Sequence, residues 1–357
     1  SDPITVADLF FTENPGINKL LVVDDEDRLR GLFTLSDIER ITSEKQALFR
    51  PARDSQFRLV CGAAVSTPRK SDGTLDRDRI EAHVGNLINR GVDVVAISTA
   101  HGHTKGVGEA VKLIREAYPD IPIIAGSNLD EVKLWLATAE YFVELDYSFL
   151  GSILKIPKVK LKDKDSFEAF NYYRSSAWKI RGVDRPLNSL IDAGNNQLYA
   201  YRYDWDDHRK FFIADFKTLI GAAHATEIPL LTGSYKLVGG YPLSDLIYPP
   251  SVSKRYLSKN MMTFWTNFAK NGYPGSSTNK VVWDSYISNN EQSNFMILDK
   301  KQNLSMKSEK ISFKSLTDEL IRDKRVNNVE RCVIFLQMFT YVGDDSYEDN
   351  INKFENN

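Results

Sequence analysis

Three short apolar runs between residues 59 and 124 constrain the fold more than any other feature of this sequence. They are Leu59–Val65, Val94–Ile97 and Ile121–Ile124, and none of them alternates with polar residues. Such runs are typical of strands that are covered on both faces. The apolar positions at helical spacing between the runs are Ile80, Val84, Leu87, Ile88, Val107, Val111 and Ile114. One amphipathic helix in each interval predicts a parallel β-α-β-α-β unit with right-handed crossovers.

Other segments extend this α/β pattern in both directions. Leu20–Val23 and Leu32–Leu35 are two short apolar strands separated by an acidic turn. Further along, apolar residues between Asp130 and Leu145 recur at helical spacing, and Leu198–Tyr203 alternates in the manner of a strand. We therefore expect the three strands of residues 58 to 125 to run into a sheet with the strand at Leu198–Tyr203.

Length and composition exclude several classes of protein. With 357 residues and a net charge of −2, the chain has room for a large core and no basic field for nucleic acid or anionic lipid. No apolar run approaches the ~18 residues of a membrane span, and Ser1–Val6 shows no leader-like pattern. Two cysteines, Cys61 and Cys332, exclude a disulfide framework. We expect a soluble, cytoplasmic protein without a nucleic-acid or membrane partner and leave its oligomeric state open.

Four segments of the first third of the chain carry a family resemblance: Asn18–Asp25, Leu29–Ile38, Phe57–Val65 and Gly91–His103. Together they resemble IMP dehydrogenase. The first two resemble the end of that family's second CBS module, and the others resemble the strands and the NAD loop of its (β/α)₈ barrel. The resemblance implies NAD as cofactor, contacted by Ser98, Thr99, Ala100 and His101. The family usually has Asp at the position of Ser98, where it binds the nicotinamide ribose.

The rest of the chain carries a second resemblance, in the segments Ile124–Glu131 and Gly221–Pro229. They resemble two parts of the type-B carboxylesterases, the cholinesterase-like branch of the α/β-hydrolases: the strand end and loop that present the acidic triad residue, and the loop of the catalytic histidine. Trp265–Pro274, followed by Trp283, resembles the closing helix of the family. The resemblance implies that Glu131 and His224 are the acid and the base of a Ser-Glu-His triad. Their chain order, acid before histidine, is that of α/β-hydrolases.

Each resemblance lacks parts that its chemistry requires. A serine esterase carries its nucleophile in a Gly-x-Ser-x-Gly elbow, and this pentapeptide is absent from the 357 residues. The dehydrogenase needs a catalytic cysteine in a Gly- and Ser-rich loop, whereas Cys61 lies in an apolar run. Three strands also cannot close a barrel that needs eight. The two resemblances meet at Ile121–Gly126, a segment that has nearly the same sequence in both families. The origin of this junction stays open between engineering, computation, assembly error and recombination.

Other chemistry-bearing residues have simpler interpretations. His101 and His103 form a His-x-His pair without a third metal ligand at useful spacing, which favours a nucleotide-loop contact or simple exposure. The acidic residues around Trp205 favour a solvated turn over a cation site. Cys61 is expected to be a small core residue, and Ser66 has no elbow that would make it a nucleophile. No metal site is predicted.

These inferences define one expected architecture and three functions. We expect an α/β chain with a CBS-like piece at residues 1–50, a barrel-like βαβαβ segment at 51–126 and the C-terminal part of an α/β-hydrolase fold at 127–357. The first function is a carboxylesterase-type serine hydrolase for small carboxylic esters, without a cofactor and inactive as this chain. The alternatives are an IMP dehydrogenase fragment that retains nucleotide binding and a non-catalytic chimeric scaffold. We expect Glu131 to hydrogen-bond His224 with no serine in reach, and apolar surface to be left exposed.

Overall fold

The computed structural model describes residues 3–46, 58–97, 105–118, 122–147, 158–211, 214–235, 247–289, 292–339 and 347–355. The chain divides into two compact units, Ser1–Leu59 and Val60–Asn357. Among the described residues, no helix combines the length and the apolar character that crossing a membrane demands.

The smaller unit is a two-stranded sheet packed on two helices. Its elements are α1 (Pro3–Glu13), β1 (Lys19–Val23), β2 (Leu29–Thr34) and α2 (Leu35–Gln46). The strands pair antiparallel around the acidic turn, and one face of the hairpin covers a small core. The buried core residues are Ala7, Phe11 and Ile38. The opposite face exposes Leu21, Val23, Leu29 and Leu32.

The larger unit begins with a βαβα segment. It contains β3 (Gly62–Val65), α3 (Arg77–Asn89), β4 (Val94–Ile97) and α4 (Lys105–Ala117). β3 and β4 pair in parallel and form a sheet of two strands in the part of the chain that the structure describes. Ile80 and Val84 of α3 pack with Ala110 and Leu113 of α4 over this sheet.

A four-stranded sheet in the order β10-β9-β8-β5 forms the centre of the larger unit. Its strands are β5 (Ile123–Asn128), β8 (Leu198–Tyr203), β9 (Asn294–Leu298) and β10 (Ser305–Ser308). β5, β8 and β9 run parallel, and β10 is antiparallel to β9. A separate antiparallel pair consists of β6 (Val143–Asp146) and β7 (Lys158–Leu161).

Helices cover both faces of the central sheet. Their bounds are α5 (Lys133–Leu136), α6 (Lys164–Lys179), a π-helical turn (Ile180–Asp184), α7 (Arg185–Asp192), α8 (Phe216–Leu219), α9 (Ile228–Thr232), α10 (Val252–Asn271), α11 (Phe313–Arg322), α12 (Asn328–Phe339) and α13 (Tyr347–Glu355). On one face, Phe264 of α10 packs with Tyr203 and Trp283. On the other, Leu187 of α7 packs with Phe295, and Val111 of α4 joins this cluster.

The third strand of the expected βαβαβ unit lies in a different sheet from the first two. β5 pairs with β8 over six residues, whereas β3 and β4 pair only with each other within the described ranges. The expected join to Leu198–Tyr203 is therefore present for β5 alone. In this pairing the ring of Tyr201 lies directly over Gly126, its partner in the register. A Cβ at Gly126 would lie 1.9 Å from that ring, so a larger residue at position 126 would force the ring to move.

Two further expectations need correction. The segment expected as one helix from Asp130 to Leu145 is a turn, the single helical turn α5 and the strand β6. Cys61 is exposed and not part of the core, because β3 begins only at Gly62 and Cys61 precedes it.

Candidate active site

The carboxyl end of β5 carries the acidic residue of the site. The chain turns sharply after Asn128, and the backbone N–H of Asn128 donates to Oε1 of Glu131 over 2.8 Å. The Glu131 residue is only 4% exposed. This local hydrogen bond holds the carboxylate back against the strand end, with its second oxygen left for another partner.

That partner is the imidazole of His224. Nδ1 of His224 lies 2.9 Å from Oε2 of Glu131, and the backbone N–H of His224 donates to the Glu131 carbonyl over 3.2 Å. The two side chains are at the separation that the sequence predicts for a triad acid and base. Within the described ranges, Nε2 of His224 makes no hydrogen bond. The catalytic role of the pair stays a prediction.

A second carboxylate clamps the histidine loop to the acid loop. Oδ2 of Asp130 accepts the backbone N–H of Ala222 over 2.9 Å, and Oδ1 accepts the amide of Asn171 over 2.6 Å. Gly221, at the start of the histidine loop, has a φ of +54°, and a Cβ there would lie 2.2 Å from Oδ2 of Asp130. The loop can approach Asp130 this closely only because residue 221 is glycine.

Glu227 is a third carboxylate that the sequence reasoning missed. The side-chain amide of Asn128 donates to Oε2 of Glu227 and to the carbonyl of Ala223, both over 2.6 Å. Burial, together with the nearby charge of Glu131, raises the pKa of Glu227 to about 7. The sequence signal for Glu227 was its position three residues after His224, within the segment Gly221–Pro229.

The electrostatics of the pair favour a charged imidazole. The hydrogen bond to Glu131 raises the pKa of His224 above its ordinary value, against the opposing effect of burial. The ring of Trp135 stacks on the imidazole with centroids 5.4 Å apart, and the ring of Trp178 lies 5.6 Å away. The face of an indole attracts a cation, so these contacts act in the same direction as Glu131.

A buried histidine supports the loop from behind. Nε2 of His208 lies 2.8 Å from the carbonyl of Gly221, and because a carbonyl only accepts, this nitrogen carries the proton. Burial lowers the pKa of His208 to about 4. Its ring also packs edge-on against Trp205 and Tyr248. His208 is therefore neutral at pH 7 and holds the backbone that presents His224.

The other residues singled out in the sequence do not join this site. Ser98, Thr99, Ala100, His101 and His103 lie outside the described residues. The acidic residues near Trp205 form ion pairs in place of the expected solvated turn: Asp204 with Arg202, Asp206 with Lys217 and Lys300, and Asp207 with Lys300. In the described part of the chain, no group of three His, Cys, Asp or Glu side chains could hold a metal ion.

Comparison with family models divides the chain between two unrelated families. Residues 34–136 match the IMP dehydrogenase / GMP reductase domain, and residues 181–314 match the carboxylesterase family. The chain is therefore chimera-like in composition. Glu131 lies inside the first matched range and His224 inside the second, so the hydrogen-bonded pair joins residues from both matched segments.

Individual relatives match the first segment. Inosine-5'-monophosphate dehydrogenase of Halalkalibacterium halodurans is 46% identical over 111 residues, which are 31% of this chain and 20% of that protein. The Bacillus subtilis enzyme is 40% identical over 111 residues, with the same two shares. The chain thus spans about a fifth of the length of these relatives. Among solved structures, a thermophilic pNB esterase is 21% identical over 58% of this chain and 40% of its own, with a TM-score of 0.32, too low to establish a shared fold.

Proposed function

We propose that this chain carries the acid–base half of a carboxylesterase-type serine hydrolase and lacks the nucleophile. The observation that carries the proposal is the 2.9 Å hydrogen bond between the buried carboxylate of Glu131 and Nδ1 of His224. The match of residues 181–314 to the carboxylesterase family supports it. The substrate class that follows from this likeness is small carboxylic esters.

Each residue of the pair has a defined task. Glu131 accepts the Nδ1–H bond, which fixes the tautomer and stabilises the imidazolium that forms when Nε2 takes a proton. His224 is the base, because Nε2 is the nitrogen left to receive a proton from an attacking hydroxyl. Asp130, Asn128 and His208 position the two loops through the hydrogen bonds described above. Without a serine elbow, the chain forms no acyl-enzyme and does not turn over as a serine esterase.

The loss of the nucleophile is decisive for rate. Removing the serine from such a triad costs about 10⁶ in turnover, since the base alone has nothing to activate except water. We therefore expect p-nitrophenyl ester hydrolysis by this chain to stay near the rate of free imidazole. A fluorophosphonate probe should label no serine, and stoichiometric labelling of a serine would show that a nucleophile exists.

Titration of His224 tests the pair itself. In Glu131→Gln the imidazole loses its charged acceptor, so the pKa of His224 should fall toward its ordinary value. NMR titration of the His224 ring protons measures this, with the exposed Glu140→Gln as the matched control. An unchanged His224 pKa in Glu131→Gln would contradict the assignment of Glu131 as the partner.

A second function has its own support in the first matched segment. The 46% identity over 111 residues favours an IMP dehydrogenase fragment, in which the residues assigned to NAD are Ser98 to His101. We propose residual nucleotide binding as the alternative, and a thermal shift with IMP, NAD or ATP tests it. A non-catalytic scaffold predicts no thermal shift with any of these nucleotides.

A further inference from the structure

A cavity of about 400 Å³ lies where five segments of the larger unit meet. The segments are the π-helical turn, α7, the stretch around Ser288 and Ser293, the start of α11, and α13. The charged residues that line the cavity are Asp184, Arg185, Lys310, Lys314, Asp349 and Lys353. None of these six belongs to the acid–base pair or to the residues 98–101 assigned to NAD. The cavity is therefore separate from both functions proposed above.

The carboxylate of Asp184 is balanced from inside the protein. The residue is 8% exposed, and Nζ of Lys179 donates to both of its carboxylate oxygens over 2.8 Å. The two residues are five positions apart, and the π-helical turn between them has the i to i+5 hydrogen bonding that brings such positions together. Asp184 therefore needs no cation from the cavity and does not exclude an anion from it.

The exposed rim of the cavity is mainly positive. Four exposed cations come from four different segments: Arg185, Lys310, Lys314 and Lys353. Lys353 forms an ion pair with Asp318, and Asp349 is the exposed carboxylate of the lining. With Asp184 balanced by Lys179 as well, an excess of two positive charges remains around the cavity. Such an excess matches a dianion.

Contacts inside the protein orient two of the lining groups as donors. The guanidinium carbon of Arg185 lies 5.0 Å from the centroid of the buried Phe313 ring. A guanidinium stacked on a ring keeps its N–H edge for an oxyanion. The hydroxyl of Tyr286 donates to Oδ1 of Asn188 over 3.0 Å, so the amide N–H groups of Asn188 are the part that is left for a ligand. Both groups therefore offer hydrogen atoms and not acceptor oxygens.

The start of α11 adds to the same preference. Its first turn carries Lys314 and no acidic residue. The partial positive charge at a helix N-terminus repels a lysine and attracts an anion. Lys314 therefore opposes the helix dipole, whereas an anion bound beside it is attracted by both. This effect supports the site and does not define it, because the cations of the other segments are independent of it.

We propose that this cavity binds a small molecule through a phosphate group, held by Arg185, Lys310 and Lys314. A phosphomonoester carries close to two negative charges at neutral pH, and its three terminal oxygens accept hydrogen bonds from several directions at once. A carboxylate has one charge and two oxygens, which fits the excess of charge less well. The volume of about 400 Å³ leaves room beside the phosphate for a sugar-sized substituent.

Calorimetric titration of the full chain with inorganic phosphate and with ribose 5-phosphate tests the proposal. Sodium chloride keeps the ionic strength constant, so that general screening does not contribute. We expect saturable binding of one phosphate group per chain. Equal affinities identify free phosphate as the ligand, and tighter binding of ribose 5-phosphate identifies a phosphomonoester. Ribose 5-phosphate carries no base, so its binding does not depend on the nucleotide proposal above.

Lysine variants locate the site. Lys310→Gln combined with Lys314→Gln should weaken phosphate binding about tenfold, because two ion pairs to the ligand are lost. The matched control is Lys259→Gln combined with Lys301→Gln, which removes the same charge at exposed positions outside the lining and should bind as the unmodified chain does. Arg185→Lys keeps the charge and loses the two-pronged donor, so it should also weaken binding, by a smaller factor.

Two further measurements separate binding from folding. Urea unfolding without phosphate should show the Lys310→Gln and Lys314→Gln double variant to be at least as stable as the unmodified chain, since Lys314 opposes the helix dipole. Saturating phosphate should protect Lys310 and Lys314, but not Lys301, from acetylation, which peptide masses measure. The proposal is overturned if no saturable binding occurs at constant ionic strength, or if the two double variants bind phosphate equally well.

Discussion

The β3–β4 segment and the β5–β8–β9 segment show that sequence similarity and structural completeness are separate properties. The first lies in the range that is up to 46% identical to known dehydrogenases, yet it forms two parallel strands of four residues each. The second pairs β5 with β8 over six residues between two apolar layers. A parallel strand gains most of its stability from burial on both sides. The number of strands that pair with one another therefore determines the stability of each segment more than the closeness of its sequence match to a family does.

The largest expected effects come from truncating one core residue in each segment. Phe264→Ala removes a fully buried ring of helix α10 from the core that covers the central sheet, and the free energy of unfolding should fall by about 3–5 kcal/mol. Ile80→Ala, in helix α3 over the β3–β4 sheet, should cost about 2–5 kcal/mol locally. Hydrogen exchange should show that Ile80→Ala exposes the amides of β3 and β4 and leaves those of β8 protected. Equal deprotection of both sheets would show that the two segments unfold as one unit.

Acid should weaken the central segment through His208. The pKa of His208 is about 4 in the fold and 6.5 when unfolded, so the unfolded chain binds the proton first as the pH falls. Stability from neutral His208 is therefore complete above pH 6.5 and declines toward pH 4, by on the order of 3 kcal/mol. Urea unfolding of the unmodified chain and of His208→Gln between pH 4 and 7 isolates this contribution, because Glu227, with its pKa raised to about 7, acts with the opposite sign over the same range. His208→Gln should remove the His208 contribution, and the exposed His83→Gln should not.

Replacing glycine with alanine should change the free energy of unfolding in opposite directions in the two segments. Gly126→Ala forces a Cβ into the ring of Tyr201 and should reduce the free energy of unfolding by about 1–3 kcal/mol. Gly108→Ala lies inside helix α4 with open space around the Cβ position and should stabilise by up to about 1 kcal/mol. Thermal unfolding of the two variants compares them, and a neutral Gly126→Ala would mean that β5 and β8 separate easily.

Much of the site was accessible to sequence reasoning, and the reason is local. Glu131 and His224 each lie in a short sequence segment whose other residues shape the turn that presents them. An example is Gly221, which must approach Asp130 closely. Glu227 was missed although it lies three residues after His224 in the same loop segment, and nothing near His208 in the sequence indicates burial or a partner. Glu227 meets Asn128, and His208 meets Gly221, only after distant segments come together.

The sequence by itself determined most strands and helices outside Asp130–Leu145, the two family likenesses and the absence of a serine elbow, because periodicity and short motifs are properties of neighbouring residues. Only the tertiary structure decided which strands share a sheet. The segment Ile121–Gly126 fits either family, whereas its pairing with β8 joins residues far apart in the chain, including Gly126 and Tyr201. That pairing places the carboxylate of Glu131 beside His224, since burial and long-range contacts are settled by packing and not by local pattern.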